Sequence, residues 1–127
     1  MLDVKALLTK MLNAIKVDYI VKQGTSGSWT YRKWNSGVAE CWTHTTSGTF
    51  APTGTSGGIS YRTLSLSFPS GLFNVAPSAH CDTKWGTGIS WASARTVSAA
   101  TLEFVVCKLN SSSETADFYH YANGTWK

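Results

Sequence analysis

Three histidines, three cysteines, seven carboxylates and six tryptophans are the residues of this sequence that could do chemistry. His44, His80 and His120 lie far apart, and no HExxH or GxSxG phrase frames any of them. The triplet His80-Cys81-Asp82 has the residue types of a thiol site. On a strand, however, Cys81 points away from both neighbours, so neither can act on it. The expected arrangement is a core cysteine between two surface polar groups. The carboxylates show no pair at a spacing useful for a glycosidase. There is no CxxC pair and no ligand cluster, so neither a metal nor a cofactor is expected. The glycines from Gly54 to Gly58 lie between strand-like runs and precede no helix, which removes a phosphate-binding loop.

Binding chemistry is better represented than catalysis. Six tryptophans are more than a core of this size must hold, so some are expected to be partly exposed. Exposed aromatic rings stack on sugar faces and anchor interfaces. The loop Lys84-Trp85-Gly86-Thr87-Gly88 places a ring between small flexible residues. It makes Trp85 and Lys84 the first candidates for a ligand site; the competing reading has Trp85 capping an open end of the fold. Trp91 is a second candidate ring. His44, in the polar run Thr43–Thr49, could hydrogen-bond a sugar or be an ordinary surface histidine.

The elements that must position these groups are mostly strands. Val4, Leu7, Leu8, Met11, Leu12 and Ile15 recur at three- and four-residue steps and predict one amphipathic helix within residues 1–17. With Leu8 and Ile15 at heptad position a, Val4 and Met11 fall at d, and Leu7 and Leu12 widen the stripe. A helix this short is marginal alone in water. A stripe widened on both flanks suits a three-helix bundle, so these six residues are expected to trimerise the chain. Residues 18–127 read as β. Strands are expected at 18–23, 29–34, 38–45, 59–68, 75–85, 90–95, 101–109 and 116–122, divided by Gly-, Pro- and Asn-rich turns. Ile59–Phe68 alternates Tyr61, Thr63, Ser65 and Ser67 against Arg62, Leu64, Leu66 and Phe68, the pattern of a half-buried strand. Such spacing predicts an all-β antiparallel sandwich or small barrel.

Composition agrees. Charged residues make up 14% of the chain, against roughly a quarter in typical domains, while aromatics reach 13%. The net charge is +4, but the eleven Lys and Arg are scattered, so no nucleic-acid partner is expected. No apolar run approaches the ~18 residues of a membrane span, so no membrane insertion is expected. Asp3, Lys5, Lys10 and Lys16 interrupt the N-terminal apolar run, so no signal peptide is expected. Cys41, Cys81 and Cys107 are expected to be buried free thiols, which implies synthesis in a reducing cytoplasm.

The segment Tyr31-Arg-Lys-Trp-Asn-Ser-Gly-Val-Ala-Glu-Cys-Trp42 is the most specific part of the chain. Asn35-Ser36-Gly37 suits a three-residue hairpin loop with Gly37 in the left-handed position. Counting outward places Arg32 opposite Glu40 and Thr30 opposite Trp42, with Trp34 and Trp42 on one face. A two-residue turn at Ser36-Gly37 would instead pair Lys33 with Glu40.

This phrase resembles a segment of phage and prophage tail-fibre or baseplate receptor-binding proteins. Phe68-Pro-Ser-Gly-Leu-Phe-Asn-Val-Ala-Pro-Ser-Ala79 and Phe118-Tyr-His-Tyr-Ala-Asn-Gly-Thr-Trp126 are similar, more loosely, to the opening and closing strands of their H-type-lectin-like sandwich. The resemblance covers residues 18–127. It implies a non-enzymatic, homotrimeric sandwich at the tip of a fibre, made in a bacterial host's cytoplasm and carried on the virion tail. Residues 1–17 would be the end of the fibre's stalk. The implied partners are two further copies of the chain and a bacterial surface receptor, expected to be a glycan. A purely structural trimerisation tip and a surface-polysaccharide hydrolase are the alternatives.

Overall fold

The computed structural model describes residues 3–14 and 17–127. Among these residues one helix, α1 (Val4–Ala14), precedes nine strands: β1 (Ile20–Ser26), β2 (Trp29–Trp34), β3 (Val38–Phe50), β4 (Gly54–Ser56), β5 (Ile59–Ser67), β6 (Ser78–Trp85), β7 (Ser90–Val97), β8 (Thr101–Lys108) and β9 (Glu114–Thr125). They form a five-stranded sheet, β1-β2-β3-β9-β6, and a four-stranded sheet, β4-β5-β8-β7. Every pairing is antiparallel. The fold is therefore the expected all-β sandwich behind a short N-terminal helix.

Alternation decides which side chains fill the space between the sheets. Ala39, Cys41 and Thr43 of β3 point inward, as do Ala116, Phe118, His120 and Ala122 of β9. Leu102, Phe104 and Val106 of β8 meet them from the other sheet. Arg62, Leu64 and Leu66 are the inward set of β5, and Arg62 lies 4.6 Å over the Phe50 ring while donating to the Ala51 carbonyl at 3.3 Å. Phe68, Leu72 and Phe73 close one end of the core. A register shift in β3 between Ser47 and Phe50 turns Phe50 inward at the other end. There it meets Phe118 and Trp85 edge-on, at 5.0 and 4.9 Å. Each ring so buried contributes about 2–3 kcal/mol of transfer free energy.

The β2–β3 hairpin has the expected register: Thr30 faces Trp42 and Arg32 faces Glu40. Gly37, at φ 101°, takes the left-handed position, and its N–H donates to the Trp34 carbonyl. Arg32 and Glu40 are 3.8 Å apart, and the guanidinium also lies 5.0 Å from the Trp42 ring.

Three expectations about strands need correction. The first strand does not stop before Gly24; it runs to Ser26. Gly24 is tolerated because the Tyr31 ring of the neighbouring strand occupies the space a side chain would need. The stretch between the expected strands 38–45 and 59–68 contains β4, whose hairpin to β5 turns at Gly57-Gly58 with φ 57° and 82°. Two successive positive φ values are what a two-residue primed turn requires, and glycine supplies both. β6 begins at Ser78, after Pro77, and Val75 stays outside the sheet and exposed.

The helix stands apart from this core. Asp3 caps it, accepting from the Ala6 N–H at 3.1 Å. Val4, Leu7, Leu8 and Met11 are 42–69% exposed, Leu12 is half-buried, and no residue of α1 is buried. Ile15 lies outside the described residues. Among the described residues no helix is long and apolar enough to cross a membrane.

Candidate functional site on the five-stranded sheet

The candidate residues end up in three different places. Trp85 is the clearest correction: it is fully buried, and its indole Nε1 donates to the Phe50 carbonyl at 3.0 Å. The Ser90 hydroxyl receives its backbone N–H at 3.0 Å. Trp85 stands on the last inward position of β6, where alternation and the Phe50 contact both draw it into the core. It offers no face to a sugar.

A buried cation completes that end. Lys108 is 1% exposed; its Nζ lies 4.4 Å over the Trp85 ring and donates to Glu114 Oε2 at 2.9 Å and to the Ser112 carbonyl. Gly86, at φ 70°, leaves room for the Glu114 carboxylate, whose oxygens would collide with a Cβ there. Outside this seal is an open polar cleft of about 370 Å³ lined by Lys84, Gly86, Thr87, Glu114, Thr115 and Asp117. Lys84 lines this cleft and Trp85 does not.

Trp91 lies elsewhere. It is on the outer face of the four-stranded sheet, opposite Cys107, and is 37% exposed. It meets neither Lys84 nor His44.

His44 belongs to a group of open aromatic side chains on the outer face of the five-stranded sheet. Strand register sets two neighbouring rows across β3, β9 and β6. Trp42, Tyr121 and His80 form one; His44, Tyr119 and Asp82 form the next. A third row holds Thr46, Asp117 and Lys84, and leads into the polar cleft. Tyr119 is 43% and Tyr121 38% exposed.

These side chains are held rather than loose. The His44 ring stacks on Tyr119 with centroids 4.5 Å apart and planes 11° from parallel. His44 Nε2 also lies 3.1 Å from Asp117 Oδ1, which accepts from the Thr46 hydroxyl at 2.6 Å. The Thr46 and His44 hydrogen bonds hold the Asp117 carboxyl below the usual carboxylate range. The Tyr121 hydroxyl donates to Glu40 Oε2 at 2.7 Å, and that bond raises its pKa, because losing the proton would set two anions together. Between β9 and β6 a shallow cleft of about 210 Å³ opens among His80, Asp82, Tyr119 and Tyr121.

His80 and Asp82 face outward and Cys81 inward, as the triplet predicted. Burial pushes the Cys81 thiol up to about 11 and the Cys41 thiol up to about 12. All three cysteines are free; Cys41 and Cys107 are buried, but Cys81 is only half-buried, because β6 is an edge strand. Among the described residues no three His, Cys, Asp or Glu side chains converge on a metal position.

Tyr119, Tyr121, His80, Asp82 and Asp117 were absent from the candidates that composition and loops suggested. Their signal was the alternation of Phe118-Tyr-His-Tyr-Ala122, which sends two tyrosines to one face and Phe118, His120 and Ala122 to the other.

The sandwich shares its fold with solved pyocin tail-fibre structures. An N-truncated R1-type pyocin tail fibre superposes over 91% of this chain and 94% of its own, with a TM-score of 0.60 and 17% sequence identity. A C-terminal portion of the R1 pyocin fibre of P. aeruginosa superposes over 91% of this chain with a TM-score of 0.57 and 19% identity. The chain spans 31% of that longer fibre. At such identities the likeness is one of fold. No family model matches the sequence, and no curated protein matches it significantly.

Proposed function

We propose that this chain is a non-enzymatic tail-fibre tip domain that works as a homotrimer on a virion tail and attaches it to a glycan receptor on a bacterial surface. The observation that carries the reading is the fold shared with the R1-type pyocin fibre over nearly the whole of both chains. Two features support it. Among the described residues no side chain of α1 is buried, and an 11-residue helix with such an apolar face needs a partner to persist in water. The outer sheet face presents Trp42, Tyr119, Tyr121, His44 and His80 beside Asp82 and Asp117, a mixture of flat rings and acceptors suited to sugars. The finer likeness to H-type lectins, which use clefts between protomers, belongs to this reading.

Three copies of a shallow site on one rigid body bind a repetitive surface far better than one. Light scattering at micromolar concentration should report about three times 13.8 kDa, and the trimer should sediment with receptor-bearing cells. A monomer with no affinity for any bacterial surface would remove the proposal. Leu8→Glu, placed in the stripe, should release monomers whose β-domain keeps its circular dichroism.

A further inference from the structure

The cleft between β9 and β6 has a composition that points to one kind of ligand group. Tyr119, Tyr121, His80 and Asp82 line it and share the outer face of the sheet. The two tyrosines are pinned from the β3 side. His44 covers one face of Tyr119, and Glu40 holds the hydroxyl of Tyr121. Their remaining surfaces turn toward β6, where His80 lies 6.3 Å from Tyr121 and Asp82 is the register partner of Tyr119.

Charge distinguishes Asp82 from its neighbours. Glu40 is paired with Arg32, and Asp117 with His44 and Thr46. Asp82 accepts only the backbone N–H of Thr83, at 2.8 Å, and among the described residues it has no cationic partner. The chain as a whole carries +4, so an unpaired carboxylate between His80 and Lys84 on the outer face of β6, opposite Tyr119, runs against the protein's general charge. Ring faces are the negative pole of the aromatic quadrupole, and together with a carboxylate they attract organic cations.

We propose that this cleft holds an organic ammonium group displayed by the receptor, with Tyr119, Tyr121 and His80 as the cage and Asp82 as the counter-ion. The inference rests on the outer sheet face being the receptor site. A neutral sugar would use the rings but would not need an unpaired carboxylate. An anionic group would be repelled by Asp82. A quaternary ammonium and a primary ammonium share the required charge, and the cage separates them. The trimethylated form uses all three rings, whereas the primary form relies on Asp82.

The test is a titration of the intact protein, followed by the aromatic NMR signals of Tyr119 and Tyr121. The probes are choline, ethanolamine and 3,3-dimethylbutan-1-ol, the uncharged isostere of choline. Choline or ethanolamine should shift both tyrosines at millimolar concentration, and the alcohol should not. Asp82→Asn should weaken the cation by about tenfold, the effect of removing one close opposite charge. Preference for choline identifies a quaternary group, and preference for ethanolamine a primary one. Equal binding of choline and the alcohol, no shift by either cation, or an unchanged affinity in Asp82→Asn overturns the proposal. Cell adsorption measured alongside separates the two readings. If the parent adsorbs and Tyr119→Ala does not, the face is still the receptor site even where the ammonium inference fails.

Discussion

The imidazole of His44 lies flat on the ring of Tyr119, and the same imidazole reaches Asp117. One side chain thus fixes an exposed tyrosine and ties the aromatic rows to the polar cleft. Removing His44 should free the Tyr119 ring without disturbing the core, because both lie on the solvent side of the sheet. His44→Ala is expected to keep the parent's melting temperature within a degree or two and to weaken cell adsorption through a faster off-rate. Surface plasmon resonance on immobilised cell envelope reads both rates. Loss of on-rate alone would show that His44 steers rather than orders the site.

Trp85 should behave in the opposite way. Trp85→Ala leaves a cavity beneath Phe50 and removes the ring under Lys108, so it should cost about 3–5 kcal/mol. Urea denaturation measures it. A stable Trp85→Ala variant that fails only in cell binding would restore the sugar-stacking role denied to this residue by its burial.

The seal around Lys108 gives a sharper test. Gly86→Ala adds a Cβ at a positive φ and against the Glu114 carboxylate. Glu114 must move, and a buried ammonium then loses its anion. The expected loss is about 3 kcal/mol. Glu114→Gln should be destabilising for the same reason, and Lys108→Met paired with Glu114→Gln should recover most of the difference. Recovery by the double variant is read from the midpoint of urea unfolding.

Stability should depend on pH through His120. Its ring sits between Phe104 and Trp29, neither ring nitrogen has a partner among the described residues, and burial pushes its pKa down to about 4. The unfolded chain takes up this proton near pH 6.5, well before the folded one does. The contribution is therefore whole above about pH 6.5 and drains away as the pH falls toward 4, by about 3 kcal/mol in total. Denaturation midpoints from pH 8 to pH 4 should trace that decline, and His120→Leu should flatten it. A parent profile as flat as the variant's would mean that His120 finds a partner in the protonated state.

The architecture was legible because its signals are local. The Asn35-Ser36-Gly37 loop determines the register of β2 and β3, and the alternation in Ile59–Phe68 names the inward face of β5 correctly. β4 was missed because three residues are too few for a period to register, although Gly57-Gly58 announced the turn. The site was less legible. Trp85 looked exposed from its glycine-rich flank, but burial follows the parity of β6 and the register shift that brings Phe50 over it. The rows Trp42–Tyr121–His80 and His44–Tyr119–Asp82 join residues nearly 80 positions apart. Only the pairing of β9 between β3 and β6 creates them, and no spacing along the chain encodes that order.

The attachment role of the outer sheet face can be tested by sedimentation of the purified protein with a panel of bacterial strains, comparing the parent with Tyr119→Ala/Tyr121→Ala. Both rings are solvent-facing, so the double variant should keep the parent's mass and circular dichroism. The account predicts that the parent co-sediments with at least one strain and that the variant stays in the supernatant. A variant that co-sediments as well as the parent, or a parent that binds no strain at all, would contradict it.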